Sequence, residues 1–422
     1  MSSTAIVAVD DPPDPGEVRD AARAWIQQHW DPDLSLVDWR ERLTASGWAA
    51  PSWPRRWHGQ GLPEWADAVV AEELERADAV GPPVGAGMTL AAPTILQQGP
   101  DEVRERFLRP ILTGAETWCQ LFSEPGAGSD LAGVTTQAAL DGDRWIVNGQ
   151  KVWNTSAHHA DFGMLVARTD WDAPKHRGLT YLVLPMRQRG VEVRPLRQMN
   201  FHSSFNEVFI SDADVPRDHV VGEVGAGWAS ALATLSYERK LAGAERHQTR
   251  GGGAARVEAQ REAAEYLETY RWYPQRQGRA DLAIEHAHGT GRGDHAVVRQ
   301  EIARLITLQR VSEWTASRAR AARRSGRPPG PEGSIGKLAS SAIARQAARV
   351  HSIIGGANGM LSGADGSFDG VIAEVLVSVP AQSIAGGTDE IQHNILGERA
   401  LGLPREPAPD HDQPFRDVLR NR

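Results

Sequence analysis

Two stretches of this 422-residue chain carry residue types that could do chemistry. The first is Cys119-Gln-Leu-Phe-Ser-Glu-Pro-Gly-Ala-Gly-Ser-Asp130; the second is Lys151-Val-Trp-Asn-Thr-Ser-Ala157. The first reads as a strand ending in a glycine-rich turn. Gly126 and Gly128 carry no Cβ, so backbone N–H groups there can approach a ligand closely. Pro125 stiffens the turn, and Ser123 and Ser129 supply hydroxyls, with Gln120 and Phe122 flanking. The second stretch reads as a strand that sets an indole, Trp153, beside the amide of Asn154 and the hydroxyl of Thr155. Together they suit a flat, phosphate-bearing cofactor and point to redox chemistry. The plainer alternative is a β-turn with serine caps and a core tryptophan.

The surrounding elements have three textures. Residues 1–15 read as a disordered lead, with Asp10-Asp-Pro-Pro-Asp14 in it. Residues 16–117 read as a helical domain. Pro63–Glu75 repeats apolar residues at helical spacing, and Pro100–Gly114 starts acidic and closes on glycine. Residues 118–225 form a β-domain of short strands, an antiparallel barrel or sandwich. Strands are expected at Met164–Arg168, Leu179–Leu184, Val191–Leu196 and Asn206–Ile210, with an Asn148-Gly149 turn signal inside Trp145–Trp153. Residues 226–405 return to helical period and imply a bundle, here of four-helix type, broken near 250–254, 289–293 and 326–331. Residues 406–422 read as a polar tail. The fold class is mainly α with a central β-domain.

Composition narrows the function classes. Hydrophobic residues at 41% and charged residues at 24% are ordinary for a globular protein. A net charge of −8 gives no basic footprint for nucleic acid. The single cysteine, Cys119, excludes an intrachain disulfide and fits a reducing cytoplasm. Neither a signal peptide nor a membrane span is expected. His158, His159, Asp161 and His176 are too crowded on one loop for a closed metal site, and no metal is expected. Cys119 reads as a small buried residue. The early tryptophans (Trp25, Trp30, Trp39, Trp48, Trp53 and Trp57) read as helix packing.

The order helical, β, helical resembles the acyl-CoA dehydrogenase family. So do Ser123–Asp130, Asn148-Gly-Gln-Lys-Val-Trp153, Ala160-Asp161, Phe205-Asn-Glu-Val-Phe209, Asp214-Val-Pro216, Ala385-Gly-Gly-Thr-Asp-Glu-Ile-Gln392 and Glu398-Arg399. The likeness covers about residues 20–405 and is nearest to actinobacterial-type members. It implies FAD as cofactor. By this resemblance Gln120, Phe122 and Ser123 touch the flavin, and Ser129 and Gly128 lie toward phosphate or the pantetheine arm of the substrate. Trp153 and Thr155 meet the flavin ring, and Thr388 and Glu390 belong to a loop that closes over FAD. Gly355-Gly-Ala-Asn-Gly359 resembles a stretch near the cofactor's pyrophosphate. The family's Arg-Lys-X-Phe-Gly clamp is not evident; its region here reads Gly293–Arg299.

The implied reaction is α,β-dehydrogenation of an acyl-CoA thioester. It needs a base for the α-proton, a carboxylate whose pKa rises in a dry pocket, while flavin takes the β-hydride. Many members carry that carboxylate directly before Gly-Thr in a C-terminal loop. This chain has Gly386 there. Isovaleryl- and long-chain-type members place the base on a helix, immediately before an arginine, and Glu238-Arg239 matches that arrangement. Glu238 is therefore the expected base, and Arg239 the expected neighbour of the ligand. The resemblance also implies electron-transferring flavoprotein as acceptor and a homodimer, tetramer or heterotetramer. Two rival readings remain: a flavin monooxygenase or oxidase of the same fold, and a non-catalytic partner subunit completing another chain's site.

Overall fold

The computed structural model describes residues 13–241, 249–324, 330–405, 407 and 412–418; side chains at 239–241 and 323–324 fall outside that description. Residues 1–12 of the expected lead, 1–15, also lie outside it. Its end does not belong to a lead: Asp14 caps the first helix, accepting from Gly16 N at 2.8 Å, with Glu17 reaching back to the Asp14 backbone.

Helices α1 (Pro15–His29), α2 (Leu36–Ala45), α3 (Trp65–Arg76), α4 (Ala92–Gln98) and α5 (Asp101–Thr113) make the N-terminal layer. Gly114 ends α5 in the left-handed region at φ 78°, where glycine is favoured. The early tryptophans are packing residues. Trp39 is fully buried between Trp25 and Trp30, and its indole N–H donates to Val80 O at 2.6 Å. Buried Glu73 on α3 accepts from Arg19 and Arg23 of α1, and these guanidiniums hold its carboxyl down to about 2.

The β-domain holds strands β1 (Trp118–Leu121), β2 (Gln137–Asp141), β3 (Arg144–Thr155), β4 (Phe162–Arg168), β5 (Leu179–Pro185), β6 (Val191–Leu196) and β7 (Phe205–Pro216). They form one sheet in the order β1-β4-β2-β3-β7-β6, with β5 also on β4. Most pairings are antiparallel, while β1 and β2 each meet β4 in parallel. Side chains alternate between two covered faces. Trp118, Met164, Val166, Tyr181 and Val183 face the N-terminal helices; Cys119, Leu121, Leu165, Leu182 and Leu184 fill the opposite core. That double burial explains why β4 and β5 read as continuous apolar runs.

The expected turn at Asn148-Gly149 does not form. Strand β3 runs straight through it with a register shift between Val147 and Gly149. A Cβ on Gly149 would collide with Thr136, so the glycine permits close backbone approach rather than reversal.

Helices α6 (Gly227–Leu241), α7 (Ala254–Glu268), α8 (Tyr273–Arg276), α9 (Ala283–Gly289), α10 (Ala296–Arg324), α11 (Glu332–Gly355), α12 (Val371–Ser378), α13 (Pro380–Ile384) and α14 (Asp389–Ile395) complete the described chain. The long pair α10 and α11 packs together, and α12–α14 lie against α11. The segment Val371–Ala400 is long and apolar enough to span a bilayer by composition, with mean hydropathy 1.3. Pro380 and Gly386-Gly387 divide it into short helices. The tail is not uniformly polar: Phe415 is completely buried.

Candidate active site

Strand β1 delivers the chain into the turn that carries Ser123–Asp130. The turn closes on itself, with reciprocal Glu124–Ala127 backbone bonds at 3.0 and 3.1 Å. Glu124 is buried and its carboxylate accepts from Thr135 N, Thr135 Oγ1 and Thr136 N at 2.7–2.9 Å. Beneath it, fully buried Lys151 donates to Glu124 Oε1 (2.9 Å), Phe122 O (2.9 Å) and Val166 O (2.8 Å). Burial draws the Lys151 ammonium below its usual value even with Glu124 alongside. Burial alone would raise Glu124, but Lys151 and the threonine donors reverse that and hold the carboxyl low. Glu124 and Lys151 thus fasten the turn to strands β3 and β4. Their presence in the two motifs is explained without any contact to a ligand.

The opposite side of the turn is open. Gly126, Gly128, Ser129 and Asp130 are exposed. A Cβ on Gly128 would meet no neighbour, so packing does not demand glycine there. Ser123 is bonded to the adjacent strand through Val152 N at 2.9 Å. Phe122 is buried edge-on to Tyr181.

Strand β3 breaks register between Lys151 and Asn154. Trp153 sits there at φ 65°, a conformation rare for a bulky residue. The break turns its indole outward, 55% exposed, with an edge contact to Phe205 at 5.7 Å between ring centres. Asn154 turns inward. Its Nδ2 donates to Gln120 O at 2.7 Å, and its carbonyl accepts from Asn206 Nδ2 at 2.8 Å. Its Oδ1 is buried without a protein partner. Thr155 is half-buried beside it. An outward indole, an open glycine ridge and an unsatisfied buried amide oxygen fit a flat polar ring resting on this surface.

Helix α6 brings Glu238 to the same place. Gln120 Nε2 points to Glu238 Oε2 at 3.5 Å, a long contact that joins an expected flavin residue to the expected base. Apo sites commonly hold such pairs loosely. Helix α6 is seated by a buried hydroxyl chain, Thr94 to Thr234 at 2.9 Å and Thr234 to Tyr181 at 3.0 Å. Burial pushes the Tyr181 phenol up. Arg239 lies on α6, but its side chain falls outside the described residues.

Sequence reasoning missed an aromatic wall. Trp153 meets Phe205, Phe205 meets Trp272 (6.1 Å), Trp272 meets Tyr273 (5.2 Å), and Tyr273 meets Tyr270 (4.6 Å), which meets Tyr266 (5.0 Å). Burial raises the Tyr273 phenol, and the negative charge of nearby Glu238 contributes. The signal was present: three of the chain's five tyrosines fall within residues 266–273.

The C-terminal loop is built differently from the cradle. Gly386 stands at φ 67° with open space where a Cβ would point. Gln392 Nε2 donates to its carbonyl at 3.1 Å. Thr388 caps α14, its hydroxyl accepting from Ile391 N at 3.2 Å, and Glu390 is exposed. Asp389 pairs with Lys337 and Arg345. Burial alone would raise its carboxyl; the two cations hold it far below the usual range. No hydrogen bond or ion pair joins Thr388 or Glu390 to the cradle among the described residues. Of the remaining candidates, Cys119 is buried, which pushes its thiol up, and Arg299 pairs with Asp294. Asp161 is engaged by Thr117, His176 packs on Trp228, and His158 packs on His159.

Residues 14–115, 119–213 and 275–401 match, in turn, the N-terminal, middle and C-terminal domains of acyl-CoA dehydrogenase. Acyl-CoA dehydrogenase IpdE1 of Mycobacterium tuberculosis is 36% identical over 374 residues, covering 87% of this chain and 88% of that protein. Acyl-CoA dehydrogenase FadE34 of the same organism is 34% identical over 86% of this chain and 46% of that protein. Among solved structures, the ChsE4-ChsE5 complex from Mycobacterium tuberculosis aligns with TM-score 0.62 and 27% identity, over 95% of this chain and 100% of that one. The Tcur3481-Tcur3483 steroid ACAD aligns with TM-score 0.63 over 93% of this chain and 98% of that one; at 23% identity it speaks to fold.

Proposed function

This chain belongs to the acyl-CoA dehydrogenase family, whose cofactor is FAD, and on that premise we propose that Glu238 is its catalytic base in oxidising an acyl-CoA thioester to the α,β-unsaturated thioester. The α C–H bond breaks with its proton passing to the Glu238 carboxylate. The β C–H bond breaks with its electron pair leaving as hydride, for which FAD, when bound, would supply the two-electron acceptor. A carbon–carbon double bond is left.

The chain's own residues divide the remaining work. Ser123, Gln120 and Phe122 form the β1 side of the ring site, and Trp153 and Thr155 the β3 side. Gly128 and Ser129 face the pantetheine arm or a phosphate. Arg239 steadies the ligand's charge beside Glu238. Thr388 and Glu390 approach the cofactor from α14. The aromatic wall from Phe205 to Tyr266 keeps water from Glu238, which favours proton transfer from a weakly acidic carbon. The observation that carries this reading is the Gln120–Glu238 contact, since it puts a carboxylate within reach of the cradle where Gly386 supplies none.

The substrate class is a fatty, branched or steroid side-chain acyl-CoA. The electron acceptor is electron-transferring flavoprotein, the setting is cytoplasmic, and the assembly is a dimer or tetramer. An anaerobic panel of acyl-CoA thioesters tests the reading through bleaching of the flavin band. A parent protein that stays yellow with every thioester, and carries electrons to no acceptor, sinks it.

A second reading rests on Gly386. A chain lacking a carboxylate in that loop could be the partner subunit of a heteromeric dehydrogenase. In that case Glu238→Gln would leave the activity of the reconstituted complex unchanged.

A further inference from the structure

The tail of the described chain does something its composition conceals. Phe415 is fully buried over the guanidinium of Arg168, whose central carbon lies 3.5 Å from the ring centre. Trp171 flanks it at 5.6 Å. Phe415 N donates to Ala173 O and Arg416 N to Trp171 O, both at 3.0 Å, and Arg416 pairs with Asp172 at 2.6 Å. The segment Asp412–Val418 is therefore a strap fixed to the β4–β5 loop.

Arg168 links that strap to the cradle. It is itself buried, and it donates to Ala132 O (2.6 Å), Lys175 O (3.0 Å) and Val134 O (3.4 Å). Lys175 in turn holds Asp130, next to Ser129, at 2.6 Å. Beside this network lies a cavity of about 320 Å³, lined by Pro174, His176, Arg177, Trp228, Arg405 and Asp412. Its size falls at the lower end of small-ligand sites. Two guanidiniums suit a phosphate, and the Trp228 indole with the His176 ring suits a flat heterocycle.

We propose that the strap completes a subsite for the phosphorylated nucleotide end of the thioester substrate, with Arg405 and Asp412 as recognition residues and Phe415 as the positioning residue that holds the strap in place. This rests on the dehydrogenase reading for the identity of the ligand. Asp412 accepts from a ring amino group or orients an arginine. Arg405, which also reaches Glu398 at 3.4 Å, contacts phosphate.

The test uses the full-length, FAD-loaded protein and two readouts. Adenosine 3′,5′-bisphosphate is titrated by calorimetry, which needs no turnover. The kcat/KM for a CoA thioester is divided by that for the pantetheine thioester of the same acyl group. Arg405→Gln and Phe415→Ala are each expected to weaken the bisphosphate about tenfold, the loss of one charge-assisted contact, and to lower the ratio through KM. Phe415→Leu should restore much of both. Bisphosphate affinity equal to the parent's in Arg405→Gln, or an unchanged ratio in both variants, overturns the proposal. If no thioester bleaches the parent flavin, the dehydrogenase reading fails, and the bisphosphate titration still decides the subsite.

Discussion

The two halves of the molecule are built to different standards of burial. From α1 to α7 the helices and one face of the sheet share a single core that runs from Val18 to Ala255, with Trp39, Phe107, Trp118 and Tyr181 inside it. From α9 to α14 the apolar clusters are small and rich in alanine, centred on Ala283, Ala287, Ala347 and Val350. The same region leaves large apolar side chains outside: Trp314 is 68% exposed, Met360 79% and Leu401 73%. Met199 and Phe201 of the first half are exposed as well, at 79% and 74%, so the contrast lies in the cores. The first half packs around one large continuous core, the second around small separate ones. Glu238 stands on α6, at the seam.

Substitution at the seam has the largest expected effect. Glu238→Gln keeps the carbonyl's size and loses the base, so turnover should fall by about 10²–10⁴ while the flavin spectrum stays. Stopped-flow bleaching measures it, and near-parent turnover moves the base elsewhere.

Inside the first half, Lys151→Met leaves Glu124 buried without its cation. A loss of about 3–5 kcal/mol is expected, read as a fall in unfolding midpoint with weakened flavin retention. A loss below 1 kcal/mol would remove the ion pair from the cradle's support.

On the second half the sensitive property is assembly. Trp314→Glu on α10 should shift sedimentation toward smaller species without lowering the stability of the N-terminal core. An unchanged mass would mean that this face is not an interface.

The core of the second half carries its own pH response. His286 and His351 are buried with Nδ1 atoms 3.1 Å apart, and their other nitrogens face Ser367 and the Arg279 carbonyl. Burial, then the neighbouring ring, lowers His286 to about 4, and burial lowers His351. The unfolded chain therefore binds more protons than the folded one between about pH 6.5 and that value. Stability is full above this window and falls as pH drops through it. His286→Asn should flatten the midpoint-against-pH curve there, whereas a curve of unchanged slope would assign the acid sensitivity to other groups.

The smallest effect belongs to a cap. Thr388→Ala removes the α14 hydroxyl cap and should cost about 1 kcal/mol. If flavin affinity falls tenfold or more while stability changes only this little, Thr388 also touches the cofactor.

Legibility in the sequence followed the same division. The glycine ridge, Trp153 and Thr155 could be named from residue types and local order, Glu238 from the family resemblance, and the periods at Pro63–Glu75 and Pro100–Gly114 announced helices in the N-terminal layer. Asn148-Gly149 misled, because a pair that favours a tight turn also permits a strand to pass close to Thr136. The Lys151–Glu124 bond was hidden because 27 residues separate its partners. Phe415 was passed over for a related reason: Arg168, which it covers, lies far along the chain, and no local period announces the contact.

The continuity of the first core has a consequence for how the protein is made. Chains emerge from the ribosome N-terminus first, and domains fold as units when their contacts are available. All of the core's buried members except Ala255 on α7 have been synthesised once α6 is out. The cradle can thus take shape while α7 and α8, which bring the aromatic wall, are still being translated. A nascent chain stalled after α6 would already present its glycine ridge and hold Glu238, with one side of the pocket open to water.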